Sequence, residues 1–391
     1  MACYDVVVVG SGFSGSIMAR ELAEREGARV LVVERRDHVA GNMYDELDEH
    51  GILVQKYGPH FVNTDKYWVI KYLNGFSEMV PYEAQLKSFL DGGYVTLPWN
   101  FQSVREILGD EAAEPVLAAL RREFGDRDRV PIFELVEARE PAARGFARML
   151  YEKAFVTYTS KMWDTPIEKM DPSVAGRVPM AMGYDPRYLN KDFQYLPREG
   201  FTKLFERMLD HPLIDVETGV DAIAGIEFAD GEVRFRGMRP NLLVFTGAID
   251  ELFGGRHGWL PYRSLDFQAR YERWPALPAD CVSYPQAPGY VRDTEYRRFT
   301  FGRVGGNESI VVREFPVPYA RGAAVGCEPF YPVINDDNRC LYERYRADAE
   351  PYGNLLLCGR LAEYRYFNMD LVIESTFEKL PQAILIMNAG E

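Results

Sequence analysis

The sequence is short of the residues that build metal centres and disulfides, with five histidines and five cysteines in 391 residues. His38, His50, His60, His211 and His257 lack the spacing of a zinc site, so no metal is expected. Cys3, Cys281, Cys327, Cys340 and Cys358 are odd in number and form no C-x-x-C pair. They fit a reducing cytoplasm better than a disulfide framework. Long hydrophobic runs are also missing. Val6–Val9 and Leu355–Cys358 fall far short of the roughly 20 residues a membrane span needs. Glycines interrupt the N-terminal apolar stretch, and no basic region or cleavage site marks a secretion signal. Basic residues are outnumbered, 45 against 59 acidic ones, for a net charge of −14. Such a surface argues against nucleic acid and anionic membrane as partners. It remains compatible with an anionic small ligand, because backbone N–H groups and a few arginines act locally.

What is present reads as a globular enzyme of two to three domains, at roughly 150 residues per domain. Tyr4–Gly10 is a β-branched strand, Ser16–Glu26 a helix and Arg29–Val33 a second strand ending at Glu34, which together make one βαβ unit. A hairpin is expected around Asp91-Gly92-Gly93, between Leu86–Leu90 and Tyr94–Leu97. Ser103 to about Lys161 is helical, and Thr165–Gly200, punctuated by proline and glycine, reads as a loop or lid. A helix over Phe201–Leu209 and short strands at 214–216, 226–228, 233–235 and 242–245 follow. Antiparallel strands over 262–335, a strand at Leu355–Leu357 and a closing helix over Asp370–Asn388 complete the chain. The 24 tyrosines, within an aromatic fraction of 13%, are more than a core alone requires.

The turn Gly10-Ser-Gly12-Phe-Ser-Gly15 sits where a dinucleotide site needs it, between a strand and a helix N-terminus. Gly10 allows the tight turn, Gly12 lets a pyrophosphate approach the backbone, and Gly15 lets the helix pack on the strand. Glu34 ends the next strand, placed to accept from a ribose 2′-OH, which favours NAD or FAD over NADP. Arg35-Arg36-Asp37-His38-Val39-Ala40-Gly41-Asn42 then runs into a second glycine turn. An arginine followed by a Gly-Gly turn lies along the cofactor in large FAD proteins; here one glycine of the two is kept.

Further strings complete a pattern that resembles the UDP-galactopyranose mutases. They are Lys56-Tyr57-Gly58-Pro59-His60-Phe61, Leu97-Pro98-Trp99-Asn100, Tyr158-Thr159-Ser160-Lys161-Met162-Trp163, Gly200-Phe201-Thr202-Lys203-Leu204 and Thr246-Gly247-Ala248-Ile249-Asp250. Glu328-Pro329-Phe330-Tyr331-Pro332-Val333 and Gly359-Arg360-Leu361-Ala362-Glu363-Tyr364-Arg365-Tyr366 are the most specific pair.

The resemblance implies an α/β chain with three interleaved parts: a Rossmann-like FAD-binding domain (1–75, 195–260 and 350–391), an inserted helical domain with a mobile substrate loop (101–180), and an antiparallel-sheet substrate domain (76–100 and 261–349). It implies a mutase that interconverts the pyranose and furanose forms of a nucleotide-linked hexose, with N5 of reduced FAD attacking the anomeric carbon. The nucleophile then belongs to the cofactor, and the protein binds and orients. A reductant such as NAD(P)H and a homodimer are implied as well. An FAD-dependent oxidoreductase of the amine-oxidase type is the alternative, since it shares the cofactor domain.

Residue by residue, Arg177 and Arg292 match the arginines that clamp the diphosphate, with Arg177 on the mobile loop. Tyr188, Tyr331 and Tyr366 match tyrosines that donate to it without adding charge. Tyr158 matches the residue stacked on the nucleobase, Phe155 lines the same pocket, and Trp163 stands at the loop hinge. Asn100 and Thr159 match smaller polar contacts, Arg360 the arginine beside the flavin, and His60 the histidine of the flavin loop. Phe13, Ser14, Arg35, Gly41, Asn42, Gly359 and Met369 join Gly10, Gly12, Gly15 and Glu34 in the cofactor set. Asn368 is read as the N-cap of the last helix and as a substrate contact.

Some positions depart from the family. Pro59 replaces an alanine, Asn63 a second histidine and Asn368 an aspartate; a basic residue is lost at Ala181, and Met182–Tyr184 replaces Phe-Thr-Phe. These cluster near the sugar, so the reaction type is expected to hold while the sugar or base differs from UDP-galactose, a GDP-hexose being one form.

Overall fold

Four-residue β-branched and leucine strands cannot satisfy their backbone groups or bury their side chains alone, and here they pair in parallel. The computed structural model describes residues 4–167, 178–187, 191–322 and 328–390. Its central sheet has the order Ile214–Glu217, Val30–Val33, Val6–Val9, Leu242–Phe245, Leu355–Leu357. All its pairings are parallel, with Val6 opposite Val30 on one side and Leu242 on the other. Sequence order reverses around Val6–Val9, and the glycine turn leaves the carboxyl end of that strand, where ligands of open α/β sheets bind. One face is covered by the Phe13–Glu26 and Met369–Ala389 helices, which bury Met18, Leu22, Leu380 and Met387 against Val6, Val8 and Val30. The other face is covered by the Ile226–Ala229/Glu232–Phe235 hairpin and by Tyr345 and Ala349 of the Asp336–Ala349 helix. That helix therefore packs on the cofactor-type sheet rather than on the large sheet.

The large sheet has seven strands, ordered Tyr331–Pro332, Tyr262–Arg273, Glu308–Pro318, Arg292–Glu295, Cys281–Ser283, Leu86–Leu90, Gly93–Leu97. It is antiparallel apart from Cys281–Ser283 against Leu86–Leu90, which run parallel. The hairpin falls where the sequence places it. Asp91 and Gly92 both take positive φ (50° and 86°), the backbone of a type I′ turn.

Thr165–Gly200 departs from the expectation of a bare loop. Met180–Ala181 pairs with Arg129–Val130, and Phe193–Pro197 bridges Val62–Thr64 and Met79–Pro81. Such short strands have no local periodicity, and their partners are remote in sequence.

The helical layer gathers Val104, Leu117, Leu120, Phe146 and Leu150 into its own core. Pro141–Leu150 continues through a π-helical turn, Tyr151–Val156, into Thr157–Trp163. The wider turn shifts which residues face inward. Among the described residues no helix is long and apolar enough to cross a membrane.

Candidate active site

A single cleft, about 2050 Å³ with its open mouth included, runs from the glycine turn to the large sheet. At one end the backbone itself shapes the site. Gly10 has φ +100°, and a Cβ there would stand 2.2 Å from Thr246 Oγ1; a Cβ on Gly15 would stand 1.9 Å from the Gly10 carbonyl oxygen. These two glycines are required by packing. Gly12 differs: it lines the cleft, and a Cβ there would meet no protein atom within 4 Å. In the second turn Ala40 and Gly41 both take positive φ, and a Cβ on Gly41 would come 3.0 Å from Gly12 Cα. Ala40 thus adopts, at some conformational cost, the backbone that the absent glycine would have provided. Gly359, φ +98°, packs on Ser14, closing the cleft from the last strand.

Glu34 is buried at the cleft wall, and its Oε2 accepts from the N–H (2.9 Å) and hydroxyl (2.7 Å) of Ser11. Oε1 accepts from the Arg36 N–H at 3.0 Å. Glu34 therefore braces the glycine turn before any ribose is bound. Of the two arginines that follow, Arg35 is half exposed and pairs with Glu251 and Glu328 at the rim. Arg36 is the inward one, lying 4.3 Å over the Tyr57 ring, donating to Asn42 Oδ1 at 2.9 Å and pairing with Glu328 at 3.0 Å. Its Nη1 is buried without a partner. Arg35, the arginine expected at the cofactor, and Arg36 both line the cleft, and Arg36 is the more buried of the two.

Toward the large sheet, His60 sits in the loop after Gln55, whose Oε1 accepts its N–H at 2.5 Å. Burial first, then the positive field of Arg360, pulls the imidazole down to about 3, so it is neutral at working pH. His60 Nδ1 and Asn63 Oδ1 are buried and unpartnered at the same wall.

Arg292 donates in a bidentate fork to Glu314, Nε at 2.7 Å and Nη2 at 2.8 Å. Burial opposes its charge, but Glu314 overcomes this and holds the guanidinium charged. Arg360, chiefly through burial, is pulled below its ordinary range and has no carboxylate partner among the described residues. It lies 5.7 Å from the Tyr331 ring centroid, and Tyr331 stacks with Tyr366 at 6.1 Å. A half-buried cation that faces the cleft beside two phenols, with no counter-ion among the described residues, is a place for an anion.

Phe13, Ser14, Gly41, Asn42, Gly359, Asn368 and Met369 also line the cleft. Asn368 precedes the Met369–Ala389 helix at the N-cap position, but its side chain makes no cap hydrogen bond; Asp370 Oδ1 takes the Leu371 N–H instead. Trp163 reaches the site through Tyr331, ring centroids 5.8 Å apart. Tyr158 acts electrostatically on Arg292, and Thr159 is buried in the same helix. Phe155 is packed in the core of the helical layer, 6.3 Å from Trp99, and like Tyr158, Thr159 and Trp163 it does not itself line the cleft. Neither does Asn100, whose side chain accepts the Ser103 N–H in a capping box on the Phe101–Leu108 helix. Arg177 and Tyr188 lie outside the described residues. Glu314 was not singled out by sequence, and Glu328 and Ser11 stood within motifs without a role, because only strand register and loop packing bring all three to the residues they hold.

The profile of the UDP-galactopyranose mutase family matches residues 153–366, and that of an NAD(P)-binding Rossmann-like domain matches residues 8–76. A UDP-galactopyranose mutase of Mycoplasma pneumoniae is 33% identical over 97% of this chain and 96% of its own length. A dTDP-fucopyranose mutase of Escherichia coli is 32% identical over 95% of this chain and 96% of its own. Among solved structures, a reduced UDP-galactopyranose mutase superposes with a TM-score of 0.72 at 16% identity, covering 99% of this chain and 95% of that one. A putrescine oxidase variant superposes at 0.60 and 13% identity, covering 98% of this chain and 99% of its own, so the amine oxidases share the fold. Matches of such length and identity establish kinship: the chain belongs to the UDP-galactopyranose mutase family.

Proposed function

We propose that this protein is a flavin-dependent isomerase that interconverts the pyranose and furanose forms of a nucleoside-diphosphate hexose. One observation carries the reading. A dinucleotide-type glycine turn and an arginine with no carboxylate partner among the described residues, flanked by tyrosines, face the same cleft. This supports an electron-rich cofactor and a diphosphate bound side by side.

The residues present fit FAD. Arg36 Nη1, His60 Nδ1 and Asn63 Oδ1 are buried polar atoms along the cleft without hydrogen-bond partners among the described residues, and the Gly12 backbone is open to it. Gly10, Gly12, Phe13, Ser14, Gly41, Asn42, Glu34 and Arg36 would hold the adenosine and pyrophosphate. His60, Gly359, Arg360 and Met369 would hold the ring system. When bound and reduced, the flavin supplies the nucleophile for the anomeric carbon. The N-terminus of the 21-residue Met369–Ala389 helix presents its positive dipole end to the cleft and favours negative charge there.

Arg360 and Arg292 stabilise the diphosphate as negative charge grows on the departing oxygen. Tyr331 and Tyr366 donate hydrogen bonds without adding charge, so the diphosphate can return. Tyr158, Thr159 and Trp163 bound the nucleoside end, and Arg177 and Tyr188 are expected to close over the diphosphate. His60 stays neutral and orients rather than transfers charge.

Departures at Asn63, Asn368, Ala181 and Met182–Tyr184 support a sugar or base other than that of UDP-galactose. Relatives named for UDP-galactose and for dTDP-fucose stand at nearly equal identity. A cytoplasmic homodimer kept active by NAD(P)H or another reductant belongs to the same reading; the free thiols at Cys281, Cys340 and Cys358 bear only on the compartment, being compatible with a reducing one. Dithionite-reduced enzyme, given UDP-galactofuranose, dTDP-fucofuranose and GDP-hexoses separately and analysed by chromatography, tests the reading. Efficient turnover of the UDP-sugar alone would remove the altered-substrate element.

A further inference from the structure

Lys161 stands at the end of the helix that bounds the nucleoside region, and its surroundings are unlike those of the other cations of the site. Its ammonium donates to three backbone carbonyls, those of Tyr284 (2.7 Å), Pro285 (3.1 Å) and Ala287 (2.6 Å). An ammonium carries three N–H donors, and here each meets a carbonyl, with no carboxylate among the described residues to pair with the half-buried charge. Burial accordingly pulls Lys161 down to about 8. A half-buried cation bound only to neutral oxygens carries a desolvation cost that its three hydrogen bonds offset.

That geometry joins the Thr157–Trp163 helix to the loop that leads into Arg292. The carbonyls belong to the loop that leaves the Cys281–Ser283 strand and returns through the Tyr284–Val291 backbone hydrogen bond, immediately before Arg292. On the other side, Arg263 Nε donates to the Met162 carbonyl at 3.0 Å, and its Nη1 lies 3.5 Å from Asp164. Arg263 is opposite Tyr331 in the sheet register. Residues 161–164 are thus gripped at two points, with Trp163 between them against Tyr331.

We propose that Lys161 is a positioning residue for substrate binding. It fixes the Thr157–Trp163 helix, with Tyr158 and Trp163, against the loop that presents Arg292, and so sets the span between nucleoside wall and diphosphate arginine. This rests on the mutase reading above. A purely structural ammonium would lower stability when removed but leave nucleotide affinity alone.

The test uses flavin-loaded holoenzyme, wild type, Lys161→Met and Lys161→Arg. The probe is whichever of UDP, dTDP and GDP binds wild type most tightly by calorimetry. Lys161→Met is expected to keep its flavin and bind the probe about tenfold more weakly, the loss of roughly one charged hydrogen bond. Its KM rises in step while kcat stays within about twofold. Lys161→Arg keeps donors but not three converging ones, and is expected to fall between. If Lys161→Met does not fold, Lys161→Arg decides. Affinity equal to wild type in the folded variants overturns the proposal, as does a fall in kcat with KM unchanged. Failure of all three nucleotides to bind wild type overturns the functional reading and the role of Lys161 with it.

Discussion

Arg292 and Glu314 are register partners on adjacent antiparallel strands, and the guanidinium closes on both carboxylate oxygens at 2.7 and 2.8 Å. The cation expected to clamp a diphosphate is therefore already matched, and Arg360 brings the uncompensated charge. Arg292→Ala leaves Glu314 buried and alone. Because Arg292 keeps some contact with solvent, the expected cost is about 3 kcal/mol, the low end for a broken buried pair. The double variant Arg292→Leu with Glu314→Leu should regain most of that stability and remain inactive. Thermal melts beside turnover assays check both; a single variant as stable as wild type would show that the pair carries no such load.

The two adjacent arginines separate in the same way. Arg35 makes half-exposed ion pairs at the rim, whereas Arg36 is held inward by Glu328, Asn42 and Tyr57. Arg35→Ala should change FAD affinity by no more than a few-fold, in keeping with exposed pairs worth about 0–1 kcal/mol. Arg36→Ala and Glu328→Gln should each weaken it by about tenfold or more. Flavin fluorescence on titration of the apoprotein reads the difference, and the reverse order would reassign the cofactor contact to Arg35.

Gly10 and Gly12 are expected to fail differently. Gly10→Ala forces a Cβ into Thr246 Oγ1 at a backbone angle that L residues avoid, so it should fold poorly. Gly12→Ala meets no protein atom and should fold normally yet purify without flavin, because the methyl group projects into the cleft. Melting temperature and visible flavin absorbance distinguish the two; a Gly12→Ala protein with full flavin content would place the pyrophosphate elsewhere.

His60 gives a pH prediction. Unfolded, it takes up a proton as pH falls through 6.5; folded, it stays neutral down to about 3. The unfolded state binds more protons between those values, so this group lowers stability as pH falls across that window. His60→Asn removes the contribution, and the stability gap between wild type and variant should change steadily from pH 6.5 downward. Parallel melting-temperature curves would mean that the folded imidazole titrates normally.

The parts legible from sequence were those whose signals are local. The βαβ unit, the Asp91–Gly92 turn and the closing helix each declare themselves within a few residues. Gly10 and Gly15 were readable because one steric requirement fixes each. The rest depends on partners remote in the chain. Phe193–Pro197 is a strand only because Val62–Thr64 and Met79–Pro81 flank it. Glu314 meets Arg292 through register, and Lys161 binds carbonyls, which every residue possesses and no sequence pattern marks. Phe155 was assigned by resemblance, and its packing in the core of the helical layer, from within the Tyr151–Val156 π turn, is visible only in three dimensions. The position of Asn368 at the helix start was correct, but its side chain makes no cap hydrogen bond.

The central claim is that the flavin serves an isomerisation with no net redox change. Dithionite-reduced enzyme, held anaerobically with a nucleoside-diphosphate hexofuranose, should convert it to the pyranose isomer over many turnovers, with the flavin still reduced at the end and the air-oxidised enzyme inactive until reduced again. Stoichiometric oxidation of the flavin by the sugar, or steady oxygen consumption by oxidised enzyme with an amine, would contradict the account and favour an oxidoreductase on the same fold.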